Sequence, residues 1–322
     1  MSHGILENDK MFSVKERPWH GLGVVVEKAP SVKEAIKLAG LDWEVEMLPL
    51  VAMTDETEEF NYEVDTHKAV FRKDSKHILG VVGTNYKPLQ NTEAFEWFEP
   101  LVENELVDLE TAGSLFNGKR VWIMAKGKQE ADVVKGDTVE SFILLSNSHD
   151  GTMSVKVGFT PIRVVCNNTL TAAESNKLSQ LIKVRHTTNM KENLQLVRDV
   201  MDTVNFQFRA TVEQYKELTK RQVCQSDLEK YVKQVFSVKK LEDIINNYDE
   251  SEEIENFRSK LLERVEEYFE MEPARTRWNM YNSVNSYLNH DRGRTLESRY
   301  NSTWFGENKN IDKKAFDLAL RY

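Results

Sequence analysis

Apart from two short helical stretches, apolar residues in this chain recur mostly at every second position as far as Thr169 and at every third or fourth position beyond it. That switch restricts the fold. A period of two builds sheets with one buried and one wet face, and a period near 3.6 builds helices with one apolar stripe. The clearest period-two stretch is Asp137 to Thr171. Its first run, Val139 to Ser146, carries Phe142, Ile143, Leu144 and Leu145. A polar turn, Asn147 to Thr152, follows and contains Asp150-Gly151; glycine accepts the positive φ that hairpin turns need. Next, Met153, Val155 and Val157 face one way while Ser154 and Lys156 face the other. The pattern resumes at Ile162 to Cys166, with Arg163 inside it, and ends in Asn167-Asn168-Thr169. This stretch reads as the central hairpin of an antiparallel sheet.

Around it, Ser31 to Ala39 reads as a short helix with Ser31 as cap and Glu34 three residues on. Trp43 to Met53, Tyr62 to Arg72 and Ile78 to Val82 read as a strand meander. Thr92 to Asn104 reads as an amphipathic helix. Leu106 to Phe116 and Arg120 to Lys126 read as strands about the Asn117-Gly118 turn, and Gln129 to Gly136 as a connection. Beyond Thr169 helices are expected at 171–184, 191–223, 226–236, 238–248, 255–269, 275–289 and 311–320. The expected class is therefore α+β: an antiparallel curved β-sheet with a central hairpin in the first half, packed with helices, then a mostly helical second half. Residues 1–170 form a β-rich domain with an N-terminal arm. Residues 171–322 form a helical region, either separate or packed on the first.

Composition removes several classes. The chain is 40% hydrophobic and 30% charged, which suits a soluble globular protein. It has no run of about 18 apolar residues, so no membrane span is expected, and no secretory leader is legible in MSHGILENDKMF. Cys166 and Cys224 are too few for a disulfide scaffold and suit a reducing cytoplasm. P-loop, H-E-x-x-H, C-x-x-C and G-x-S-x-G signatures are absent, and the seven histidines lack metal-ligand spacing. No catalytic residue, metal or cofactor is assigned. His290-Asp291 leaves a metal-dependent nuclease or phosphohydrolase as one alternative.

The net charge of −9 argues against a uniformly basic surface, but the charge is uneven. Two mildly basic segments, 171–222 and 273–322, flank an acidic one, 223–272. Three clusters mix basic, amide and aromatic groups: Lys156, Arg163, Asn167 and Asn168; Lys183, Arg185, His186 and Thr187; and Arg275, Arg277, Trp278, Tyr281 and Asn282. Guanidinium groups suit phosphates and aromatic faces suit bases. Trp278, Tyr281, Val284 and Leu288 also follow core spacing, so Trp278 and Tyr281 are expected to be buried, while the arginines suit either role.

At these residues the chain resembles the phage/plasmid-like protein family defined by a domain of unknown function, DUF932. The stretches that carry the resemblance are Trp19-His20-Gly21-Leu22-Gly23, Tyr86-Lys87-Pro88-Leu89-Gln90-Asn91, Ser148-His149-Asp150-Gly151, Ile162 to Leu170, and Thr276-Arg277-Trp278 through Asn289-His290. The resemblance implies a protein of mobile elements. A curved sheet with a central hairpin backed by helices is also similar in architecture to Rad52-type single-strand annealing proteins. The expectation is a non-enzymatic, homo-oligomeric protein that binds single-stranded DNA, or RNA, in recombination, annealing or replication. Lys156, Arg163, Arg185, Arg275 and Arg277 would hold phosphates; Asn167, Asn168 and His186 complete the site. The alternative is a host-interaction or counter-defence protein acting on a host partner by protein contacts.

Overall fold

A computed structural model of the 322-residue chain describes residues 10–15, 23–53, 61–152, 155–163, 168–169, 194–236, 251–293, 299, 302–303 and 306–322. In chain order the elements are β1 (Met11–Val14), β2 (Val24–Val26), α1 (Val32–Leu38), β3 (Val45–Met53), β4 (Asn61–Arg72), β5 (His77–Gly83), α2 (Asn91–Glu96) and α3 (Glu99–Glu103). Then come β6 (Val107–Leu115), β7 (Arg120–Val134), β8 (Asp137–Ser148), β9 (Lys156–Arg163) and β10 (Asn168–Thr169). The helical part is α4 (Leu194–Thr219), α5 (Gln225–Val235), α6 (Ser251–Met271), α7 (Arg277–His290) and α8 (Glu307–Arg321).

The strands do not form the single curved antiparallel sheet expected from the sequence. They divide between a seven-stranded sheet, order β10-β9-β8-β7-β6-β1-β2, and a three-stranded sheet, β3-β4-β5; neither is curved or closed. The larger sheet is mixed, because β1 and β2 run parallel. Alternation fixes which face of a strand is buried, not which strand lies beside it. Here α2 and α3 separate β5 from β6, so the first meander ends as its own sheet. With the curved sheet goes the architectural ground for the Rad52-type comparison.

Local chemistry explains the element ends. Ser31 caps α1 with a reciprocal pair: its hydroxyl accepts from Glu34 N–H, and the Glu34 carboxylate accepts from Ser31 N–H at 2.9 Å. The helix expected over Thr92 to Asn104 is two short ones, because Pro100 sits in the first turn of α3, where its missing N–H costs nothing. The connection expected at Gln129 to Gly136 is instead the outer half of β7, and the chain turns at Gly136 with φ of +83°. Polar residues on both faces there hide the alternation. The helix expected over 238–248 lies outside the described residues.

The chain separates into two compact units. The first combines residues 1–128, 141–159 and 175–205; the second combines 129–140, 160–174 and 206–322. In the first, α1, α2 and α3 pack on strand faces around Phe12, Trp43, Val70, Phe95, Phe98, Val107 and Ile123, and the start of α4 adds Val200, Met201 and Val204. In the second, Tyr215, Trp278, Tyr281 and Phe316 form a ring cluster with centroids 4.9–6.0 Å apart. Helix α7 runs through it with eleven buried residues, many of them polar. Asp312 accepts there from Tyr281 Oη at 3.1 Å and Asn285 Nδ2 at 2.8 Å, which is what lets those polar groups be buried. No helix among the described residues is long and apolar enough to cross a membrane.

Candidate functional site

Arg163 closes β9 in the second unit and is only 3% exposed. Its guanidinium grips Asp137 through Nε–Oδ1 and Nη2–Oδ2, both 2.7 Å. It also grips Glu272 through Nη1–Oε1 at 2.7 Å and Nη2–Oε2 at 2.9 Å. The same carboxylates take further donors: Trp278 Nε1 reaches Asp137 Oδ2 at 2.8 Å and Asn279 Nδ2 reaches Glu272 Oε2 at 2.9 Å. The guanidinium carbon lies 5.6 Å from the Trp278 ring centroid. Burial pulls the Arg163 pKa down, but the hydrogen bonds and charges of Asp137 and Glu272 outweigh it and hold the group firmly protonated.

The other expected phosphate ligands have equally specific places. Arg277 is buried and donates to the carbonyls of Leu320, at 3.2 Å, and Glu217, at 3.0 Å. Arg275 is exposed but paired with Glu270, its guanidinium 5.3 Å from the Phe269 ring. Lys156 lies in β9, and Asn168 in β10 pairs in register with Arg163. Asn167, Arg185 and His186 lie outside the described residues. The structure brings Arg163 together with Trp278, members of two different sequence clusters, through carboxylates that sequence reasoning passed over. Asp137 and Glu272 are two among 52 acidic residues, and nothing in their spacing marks them.

Beside this network, still within the second unit, lies a cleft of ≈ 440 Å³ lined by Lys135, Asp137, Arg163, Tyr268, Glu272 and His290, among others. Tyr268 and His290 present tilted rings 6.4 Å apart. Burial, then a hydrogen bond to Asp291, pushes the Tyr268 hydroxyl up to about 12, and burial pushes the His290 imidazole down, so both rings are neutral at pH 7. Lys135 stands exposed in the β7–β8 turn and makes no ion pair among the described residues. Asp291 is committed to Arg264 Nε at 3.0 Å. No group of three or more His, Cys, Asp or Glu among the described residues is placed to hold a metal ion.

The first unit holds a second polar cluster, built from two of the stretches that stood out in the sequence. Tyr86 Oη donates to Ser148 O at 2.8 Å, and Asn147 Nδ2 donates to Leu89 O at 3.2 Å. Gln90 caps β3 by accepting from Val45 N at 3.1 Å and donating to Val45 O at 3.0 Å. The fully buried His149 meets Asn91 Oδ1 through Nε2 at 2.9 Å and tilts against Trp43 at 5.3 Å. Arg72 covers the Trp43 ring at 4.3 Å. Burial drives the His149 pKa from 6.5 down to about 4; Asp150 opposes the shift and Arg72 assists it. Asp150 folds the turn back by accepting from Thr152 N at 3.0 Å and Oγ1 at 2.6 Å. Gly80 is needed because a Cβ there would lie 2.6 Å from Asp150 Cα. These residues clasp the β8–β9 turn against β5 and α2; they are a structural joint with no accessible reactive group.

One further surface of the first unit is apolar and partly open. In β3-β4-β5, Met47, Val70 and Val82 turn to the core. The register places Leu48, Ala69 and Val81 in one cross-strand row of the opposite face and Glu46, Phe71 and Ile78 in the next; Ala69 at its centre is buried, and Leu48 and Phe71 are half-buried. Ile78 and Val81 are each 53% exposed there.

A family model described as a domain of unknown function (DUF932) matches residues 78–309. Among curated proteins and among solved structures nothing matches the chain.

Proposed function

The chain belongs to the DUF932 family, and from that premise we propose that it is a non-catalytic protein that works by protein contacts, docking a partner on the open face of β3-β4-β5. The observation that carries this reading is the contiguous apolar row of that face, with Ile78 and Val81 half exposed beside Leu48 and Phe71. Contiguous exposed apolar surface costs solubility and marks interaction sites. The reading also fits the internal commitment of Arg163 and Arg277, which leaves neither to face a polyanion. A phage or plasmid gene, as the resemblance implies, has host proteins within reach of such a face. A photo-crosslinking residue at Val81 tests the reading in cells: a protein adduct specific to that position is expected, and none at any expression level overturns it.

A second reading, single-stranded nucleic-acid binding, rests on the cleft in the second unit. Tyr268 and His290 offer neutral rings to a base, and Lys135 offers an ammonium to its phosphate. Anisotropy with a labelled oligonucleotide should then show affinity that falls steeply with salt and drops several-fold in Lys135→Glu. Absence of binding at low salt removes this reading.

A further inference from the structure

We infer that the cleft of the second unit takes a guanine base from a single strand, with the amino edge of the base directed at the floor made by Asp137, Arg163 and Glu272. The inference rests on the nucleic-acid reading above and names the base. Its ground is what the floor has left to offer. A guanidinium carries five N–H donors, and a carboxylate oxygen has two places for a donor. Arg163 spends four of its donors on the two carboxylates, which leaves one N–H on Nη1. Asp137 Oδ2 and Glu272 Oε2 each accept twice, the second time from Trp278 and Asn279. Asp137 Oδ1 and Glu272 Oε1 each accept once among the described residues. The unused capacity is therefore two acceptor positions and one donor. The side chains of Asp137 and Glu272 keep 7% and 10% of their surface open, and both line the cleft.

The Watson–Crick edge of guanine presents two adjacent donors, N1–H and the N2 amino group, beside one acceptor, O6. It is the complement of that remainder. Thymine and uracil present one donor between two acceptors and would set a carbonyl oxygen against a carboxylate. Adenine and cytosine fall between. Charge decides which end of the nucleotide enters. Two carboxylates against one guanidinium leave the floor net negative, which turns a phosphate away. The phosphate stays at the rim, where Lys135 stands exposed. The cleft volume falls within the range of about 300–1,000 Å³ that holds small ligands. Arg264 already covers one face of Tyr268 at 4.8 Å, so a base stacks on the other face or on His290.

Anisotropy of the full chain with labelled thymine strands tests this, because the base is changed and the protein is not. A strand with guanines spaced singly among the thymines should bind about tenfold more tightly than thymine alone. Inosine in their place, which lacks only the N2 amino group, should weaken binding about threefold or more. Glu272→Gln removes a carboxylate and sets an amide N–H on the floor, so the guanine preference should vanish. Where that variant does not fold, 6-thioguanine keeps the test: irradiation should attach the strand inside the cleft, at Tyr268 or Met271. Equal affinity for guanine and inosine strands, a preference that survives Glu272→Gln, or attachment only outside the cleft overturns the inference. If every strand binds alike and Lys135→Glu weakens them all, the choice of guanine falls and the nucleic-acid reading stands. If no strand binds at low salt, both fall.

Discussion

His149 should make the first unit acid-sensitive in a window that begins well above the titration of exposed carboxylates. In the folded chain its imidazole takes a proton only near pH 4, whereas an unfolded histidine does so near 6.5. Between those values the unfolded chain binds more protons than the folded one, so stability falls as pH falls. The shift of about 2.5 units, at 1.36 kcal/mol each, amounts to about 3 kcal/mol when pH reaches 4. At pH 5 about 2 kcal/mol is already lost, and at pH 7 almost nothing. The groups facing the ring are Asp150, Arg72, Asn91 and Trp43, and none of them gains charge in this window. His290 is also depressed and adds the same sign, but it is common to native and variant chains. The assay is urea unfolding from pH 7.5 to 4.5 for the native chain and for His149→Gln, which keeps an N–H toward Asn91 but cannot titrate. The native curve should drop by about 2 kcal/mol more than the variant between pH 7 and 5. Parallel curves, or an imidazole titrating near 6.5 by NMR, would refute the reasoning.

Two further changes probe the joints. Arg163→Met leaves Asp137 and Glu272 buried without their cation and should cost about 3–5 kcal/mol by denaturant unfolding. Arg163→Lys should recover little, since one ammonium cannot serve both carboxylates in the bidentate manner. Gly80→Ala drives a methyl into the Asp150 backbone and should cost about 1–3 kcal/mol. Its loss should be absent from Gly83→Ala in the same strand, where a Cβ meets nothing within 4 Å.

The elements were legible where a local rule governs them. The Ser31 capping box, the Asp150-Gly151 turn and the apolar spacing of α7 depend on residues within a few positions of one another. The partition into two sheets was not legible, because strand partners are chosen by packing over long separations. The surroundings of the buried arginines were illegible for a related reason. Arg163 and Arg277 look like phosphate ligands in a sequence, since a sequence shows a cation but not its acceptors. Glu272 lies 109 residues from Arg163, and the carbonyl of Glu217 lies 60 from Arg277. The stretches behind the family resemblance were the better guide. Tyr86 to Asn91 meets Ser148 to Asp150, and Arg163 meets Trp278, because such residues hold distant pieces of chain together.

The chain passes between its two units five times, at residues 128, 140, 159, 174 and 205. Neither can be released by a single cut, and neither is complete early in synthesis. On a ribosome the first unit must wait for residue 205 to emerge, by which time the opening segments of the second, 129–140 and 160–174, are already out and unsatisfied. Asp137 and Arg163, born 26 residues apart, can find each other at once, but Glu272 arrives more than a hundred residues later. A nascent chain stalled between those points should hold the acid–base pair without its second carboxylate and be the form most exposed to proteases.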